Sequence, residues 1–193
     1  MQRKIIRIAT GTIGSVMCLA ISGLAFAQAI TFADLEGHAV VADIHREQAV
    51  QKKGKRFSVR MHQNWKFYVN DEHMIVFTVN TTVKTPKGTR KTKPNSSSFA
   101  LDEMVKVKSR GGGHAGWSFA DGTLTFTRTF PAGAYRAHFA FAQKDGRMTC
   151  SVGETFAREG GKGAIRIESA FGGQVTILKS TQLPSNCKVS KKK

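Results

Sequence analysis

Phe57-Ser58-Val59-Arg60-Met61-His62-Gln63-Asn64-Trp65-Lys66-Phe67-Tyr68-Val69 is the stretch that decides the fold. Its odd positions are almost all apolar, while Arg56, Ser58, Arg60 and Lys66 occupy even ones. Alternate side chains of a strand face opposite ways, so the segment has one greasy and one wet face. It reads either as one long strand or as two strands joined by a loop at His62 to Asn64. Both readings bury Val59, Met61, Trp65 and Phe67.

Two Asp-Gly pairs extend the pattern, because these dipeptides suit the positive-φ positions of tight hairpin turns. A turn at Asp121-Gly122 sets Phe119 opposite Leu124 and Trp117 opposite Phe126. A turn at Asp145-Gly146 sets Phe141 opposite Cys150 and Phe139 opposite Val152. A slip of one residue would place these side chains against polar neighbours, so turn chemistry and apolar pattern agree. A third hairpin is predicted between Ala164–Ser169 and Gln174–Lys179, where a three-residue loop brings Ile167 opposite Ile177. Strands are further expected at His38–His45, Met74–Lys84 and Met104–Lys108. Helical periodicity is scant: Ser98 is read as the cap of a short turn through Phe99 to Met104.

Before all of this comes a segment with the pattern of a secretory leader. Arg3, Lys4 and Arg7 precede an apolar run from Ile8 to Ile21, and Ala25 and Ala27 supply an A-x-A cleavage site. Residues 1–27 are therefore read as a signal peptide and 28–193 as one domain with a basic C-terminal tail, Lys191 to Lys193. An uncleaved anchor is disfavoured because Gly11, Thr12, Gly14, Ser15, Ser22 and Gly23 dilute the apolar run. Cys18 leaves with the leader, and Cys150 and Cys187 remain as an even pair. In an oxidising compartment, periplasmic or extracellular, that pair is expected to form a disulfide.

Consecutive hairpins predict an all-β, antiparallel meander closing into a single β-barrel, with a β-sandwich as the alternative. This order of apolar-faced strands behind an export signal resembles the lipocalin-like, or calycin-type, secreted β-barrels of Gram-negative bacteria. The resemblance spans most of the chain after the leader. It departs from the family at Leu35-Glu36-Gly37-His38-Ala39, which lacks the tryptophan of a Gly-x-Trp motif, and no C-terminal helix is evident. The resemblance implies a barrel; no functional residues carry over with it.

Thirty Lys and Arg against 13 Asp and Glu give a net charge of +17. Such a surplus attracts anionic surfaces, polysaccharide or lipid headgroups among them. Two clusters concentrate it and are the anion-binding candidates: Lys52, Lys53, Lys55 and Arg56, and then Lys87, Arg90, Lys91 and Lys93 in a segment, Thr85 to Ser98, read as a loop. Tyr68 is out of phase with Trp65 and Phe67 and is the candidate exposed aromatic. Trp65 and Trp117 run in phase with apolar neighbours and are read as core.

Catalytic signatures are not apparent. There is no Gly-x-Ser-x-Gly elbow and no His-Glu-x-x-His, and Gly111 to Gly113 lack the spacing and helix of a phosphate loop. His38 and His45, seven apart, face opposite ways on a strand. His62 and His73 could share one end of a barrel with Asp71 or Glu72, without a metal-binding motif. Glu154, Glu159 and Glu168 could act as a hydrolytic pair only if the fold brought two of them together. Asn80-Thr81-Thr82 and Asn95-Ser96-Ser97 match the glycosylation sequon.

The expectation is thus an exported, non-enzymatic binding module, without cofactor or metal, for a small apolar ligand or an anionic envelope polymer. Nucleic acid is disfavoured as a partner, and no membrane span is expected after the leader. The alternatives are an envelope hydrolase whose site assembles only in three dimensions and a protein-interaction or inhibitor domain.

Overall fold

The computed structural model describes residues 29–92, 94–107, 112–130, 133–158, 165–168 and 174–192. The predicted leader, together with Lys93, Gly111, Glu159, Ala164 and Lys193, lies outside the described residues. The described chain is all-β with antiparallel ladders, together with two isolated parallel bridges, Glu36 with Val69 and Leu101 with Trp117, and a 3-10 turn at Ala33–Leu35.

Its strands are β1 (His38–Lys52), β2 (Lys55–Val69), β3 (Met74–Thr85), β4 (Gly88–Lys91), β5 (Asn95–Ala100), β6 (Met104–Lys106), β7 (His114–Ala120), β8 (Thr123–Phe130), β9 (Gly133–Lys144), β10 (Arg147–Arg158), β11 (Ile165–Glu168), β12 (Gln174–Gln182) and β13 (Asn186–Lys191). The stretch from Phe57 to Val69 lies within one unbroken strand, β2. It pairs along nearly its whole length with β1 across a two-residue turn, Lys53-Gly54, both with positive φ.

The first sheet runs β11-β12-β1-β2-β3-β4, with β13 also on β1 and β5 also on β3. Each of the strands β1 and β3 is therefore flanked by a neighbour in two pieces. β12 and β13 divide around Pro184, and β4 and β5 divide around Pro94. Proline has no N–H to give a ladder, which suits it to such an interruption. The second sheet runs β10-β9-β8-β7-β6.

Both Asp-Gly turns form as read, with Trp117 opposite Phe126, Phe119 opposite Leu124, Phe141 opposite Cys150 and Phe139 opposite Val152. Asp121, Gly122, Asp145 and Gly146 all have positive φ. The third hairpin differs in register: Ile165, rather than Ile167, faces Ile177, and Ile167 faces Val175. A shift of two residues keeps every side chain on the same face, so alternation alone does not distinguish these registers. Two further expectations are corrected. Of the turn predicted through Phe99 to Met104, Phe99 and Ala100 are instead strand, because Phe99 pairs with Ile75 and packs on Phe77, and the chain turns at Asp102, which has positive φ. Most of the supposed loop from Thr85 to Ser98 is taken up by β4 and β5, since the open edge of β3 offers its polar residues ladder partners.

The two sheets share a core of aromatic side chains. Trp65 and Phe67 from β2 and Phe77 from β3 meet Trp117, Phe126 and Phe139 from the second sheet, with ring centroids 4.8–6.0 Å apart. Trp65 and Trp117 are 2% and 1% exposed and meet edge to face. Burial of each such side chain stabilises the fold by at least about 1.5–3 kcal/mol. A smaller cluster, Val50, Val59, Val83 and Ile177, lies further along the first sheet toward the Lys53-Gly54 turn.

Between the two clusters the inward positions turn polar. Along β1 the inward series Val40, Ala42, Ile44, Val50 is interrupted by buried Arg46 and Gln48. Arg46 Nη1 donates to Glu154 Oε2 of β10 at 2.9 Å, with the two side chains 7% and 6% exposed. The guanidinium lies 4.9 Å from the centre of the Tyr135 ring, whose hydroxyl donates to Gln63 Oε1 at 3.1 Å. Each buried charge is thereby paired, as burial requires.

Cys150 on β10 and Cys187 on β13 form a disulfide between the sheets, with Cα atoms 5.5 Å apart. Beside it, the Gln182 side chain accepts from the Glu154 N–H at 2.8 Å and donates to the Val152 carbonyl at 3.2 Å. One isolated bridge, Leu101 with Trp117, links the end of β5 to β7, but among the described residues no strand ladder closes the two sheets into a barrel, and two sheets around one core fit the sandwich alternative as well.

Candidate outer-face binding site

Strand alternation sends every second residue of β1, β2 and β3 away from the core. Ile44 and Arg46 point inward, so Asp43, His45 and Glu47 face out. By the same alternation Arg60, His62 and Asn64 face out from β2, and Asn80, Thr82 and Lys84 from β3. The ladder then aligns them in three cross-strand rows: Glu47–Arg60–Lys84, His45–His62–Thr82 and Asp43–Asn64–Asn80.

The middle row reaches both edges of this part of the sheet. Lys91 of β4 lies opposite Thr82, and at the other end Leu183 N–H donates to the His45 carbonyl at 2.8 Å. Two adjoining shallow grooves follow it. One, of about 330 Å³, is lined by His45, Arg60, His62, Lys84 and Leu183 among others. The second, of about 350 Å³, shares His62 and Thr82 and continues past Asn64, Asn80 and Lys91 to Pro94.

Local contacts fix the floor of this trough. The His45 and His62 rings stack 4.4 Å apart and 3° from parallel. His62 Nε2 is 2.8 Å from Asp43 Oδ1, and Asn64 Nδ2 donates to the same oxygen at 2.9 Å. The Asn64 hydrogen bond, aided by His62, holds the Asp43 carboxyl below its ordinary range. On the neighbouring row, Arg60 Nε lies 3.7 Å from Glu47 Oε1, an exposed pair that contributes little to stability.

Both basic clusters read from the sequence are brought to one end of this sheet. β1 and β3 run toward it, so the β1–β2 turn with Lys52, Lys53, Lys55 and Arg56 and the β3–β4 turn with Lys87 both lie there, the β1–β2 hairpin reaching past the last β2–β3 pair, Arg60 with Lys84. By the same alternation Arg56, opposite Gln51, and Lys91 of β4, opposite Thr82, are on the outer face, whereas Lys52, Lys55 and Arg90, the last opposite Val83, are in the inward phase; Lys93 is outside the described residues. Arg60 and Lys84, absent from the sequence candidates, share the outer face with Arg56 and Lys91. Their signal was a cation in the wet phase of adjoining strands.

Tyr68 faces out as its phase required, yet it is half-buried, with Lys192 Nζ 4.1 Å from its ring centre. Lys191 and Lys192 are accordingly no loose tail: β13 pairs Lys191 with His38, and Lys192 N–H donates to the Gly37 carbonyl. Tyr135 is buried with Arg46, and burial pushes its hydroxyl pKa upward. His62 and His73 do not meet, since His73 Nδ1 lies 2.7 Å from Glu36 Oε1 in the β2–β3 turn region. Among the described residues, no three His, Cys, Asp or Glu side chains group so as to hold a metal ion.

Glu154 sits inside the molecule rather than in either groove. Burial raises its carboxyl pKa, and the nearby Arg46 opposes that rise. No helix of the described residues is long and apolar enough to cross a membrane.

Compared with known protein families, with curated proteins and with solved structures, the chain matches none.

Proposed function

We propose that the chain is an exported, non-enzymatic binding module that holds an anionic envelope polymer on the outer face of its first sheet. One observation carries this reading: two Lys and Arg clusters more than thirty residues apart in sequence lie at the same end of one sheet, and from them Arg56 and Lys91 share its outer face with Arg60 and Lys84. The field of such a surface draws polyanions, and salt weakens the attraction.

Interior binding of a small apolar ligand has less support. Trp65, Trp117, Phe126 and Phe139 occupy the space between the sheets, and both grooves described above lie outside it. In this reading the two sheets act as a flattened, lipocalin-like barrel with a filled interior, fastened on one side by Cys150–Cys187 and the Gln182 amide. Residues 1–27 serve as the leader, and the disulfide suits a periplasmic or extracellular destination.

The test is retention of the purified protein on an immobilised acidic glycan across a salt series. Strong retention at low salt, abolished near physiological or higher ionic strength, is expected. Substituting Lys53, Lys55, Lys87 and Lys91 together by Gln should shift elution to markedly lower salt without changing the melting temperature. Flow-through of the unmodified protein at low salt would eliminate the proposal.

A further inference from the structure

We infer that the polymer is an acidic polysaccharide, and that it lies across the strands, along the trough from Leu183 to Pro94, rather than over the hairpin tips alone. This rests on the reading above and narrows it to one ligand chemistry.

The trough crosses the strands from the Pro184 break on one edge to the Pro94 break on the other. That path covers five strand positions, β12/β13, β1, β2, β3 and β4/β5, or four spacings. At roughly 4.8 Å each the trough is about 19 Å long, enough for an extended chain rather than a single small anion.

Its two banks differ in chemistry. Toward the tips stand Arg60 and Lys84, with the Glu47 carboxylate 3.7 Å from Arg60 at the β1 end of that row; on the other side stand Asp43, Asn64 and Asn80. The floor carries His45, His62 and Thr82, with Lys91 at one end. A ligand matched to these banks has negative groups along one side and neutral hydrogen-bonding groups along the other. Carboxylates and hydroxyls on a sugar chain have that distribution.

A phosphate-rich chain fits less well, because its charge would also meet the Asp43 carboxylate. Single-stranded nucleic acid is further disfavoured by the aromatic side chains. Stacking of bases requires open ring faces, but Trp65 and Trp117 are buried and Tyr68 lies beneath Lys192. A membrane surface would meet the protruding tips and leave the recessed amides of Asn64 and Asn80 unused.

Titration calorimetry of the full chain after the predicted leader tests this, using polygalacturonate and inorganic polyphosphate matched in charge. Polygalacturonate should bind at least several-fold more tightly. Asn80→Ala combined with Thr82→Val removes two polar groups from the trough and leaves the basic tips intact. This variant should lose about fivefold in affinity for polygalacturonate, the scale of one hydrogen bond, with polyphosphate affinity within twofold. Arg60→Gln with Lys84→Gln should weaken both.

Equal affinity for the two polymers would overturn the glycan assignment while leaving polyanion binding in place. Unchanged polygalacturonate binding by the Asn80 and Thr82 variant, with its melting temperature preserved, would overturn the placement in the trough. Binding to neither polymer at low salt would overturn the underlying reading as well.

Discussion

The two halves of the first sheet are built unlike one another. In the half that begins at His38, the inward residues of β1, β2 and β3 pack against Trp117, Phe126, Phe139 and Phe141 of the second sheet, and the inter-sheet disulfide lies there too. In the half that ends at Lys53-Gly54, the buried cluster of Val50, Val59, Val83 and Ile177 comes entirely from the first sheet, with Phe156 of β10 packed against it. Aromatic burial anchors one half, while the other presents repelling lysines on a lighter apolar base. The arrangement separates the work of holding the fold from the work of displaying charge, with Arg46–Glu154 at the boundary.

The strongest way to break this contrast is Trp117→Ala, which removes a side chain 1% exposed at the centre of the aromatic half. A loss of about 3–5 kcal/mol is expected in denaturant unfolding. A loss below about 1 kcal/mol would mean that the aromatic half is not the anchor.

At the boundary, Glu154→Ala leaves the Arg46 guanidinium buried without its carboxylate and should cost about 3–4 kcal/mol. Replacing both partners, Arg46→Met with Glu154→Leu, should recover most of that loss. If the double variant is as unstable as the single one, the ion pair is not what governs this layer. Replacing Cys150 and Cys187 by Ser opens a link of 37 residues' separation and should cost about 2–4 kcal/mol, measured against the oxidised protein.

Val59→Ala probes the lighter half and should cost about 2 kcal/mol. Faster amide exchange confined to the ends of β1 and β2 would sharpen the contrast, and exchange accelerated equally in both halves would remove it.

The smallest effect concerns acid. Asp43 has a folded-state pKa below its unfolded value, so its contribution is fully present above that unfolded value, about pH 4, and disappears as pH falls through the folded-state pKa. The stability gap between the wild type and Asp43→Asn should therefore narrow below about pH 4 in thermal melts. A constant gap down to about pH 2 would show that this carboxylate has no preferential folded-state partner.

Turn residues and alternation made the short-range pairings legible. Asp121-Gly122 and Asp145-Gly146 left one register each that placed apolar opposite apolar, and the structure has those registers. The Lys53-Gly54 turn was hidden because lysine is a poor marker of positive φ, and its neighbours drew notice as charge. The division into two sheets was not legible, since β1 pairs with β12 and β13 more than a hundred residues away. Nothing local encodes such a partner.

The site was half visible for the same reason. The clusters at Lys52 and Lys87 stood out in composition, whereas the rows through His45, His62 and Thr82 exist only once three strands are in register. Arg46 and Glu154 also broke the greasy phase of their strands. That each answers the other follows only from bringing β1 and β10 face to face.

The Gln182 amide occupies the carbonyl of Val152 and the N–H of Glu154 on the margin of β10 turned away from β9. A bare strand margin recruits further strands from other molecules, and natural proteins blunt such margins by covering them. Here one side chain presents the donor and acceptor that an incoming chain would have offered, so self-association through this part of β10 must first dislodge it. The same amide that helps seat one sheet against the other also guards the molecule against its own copies.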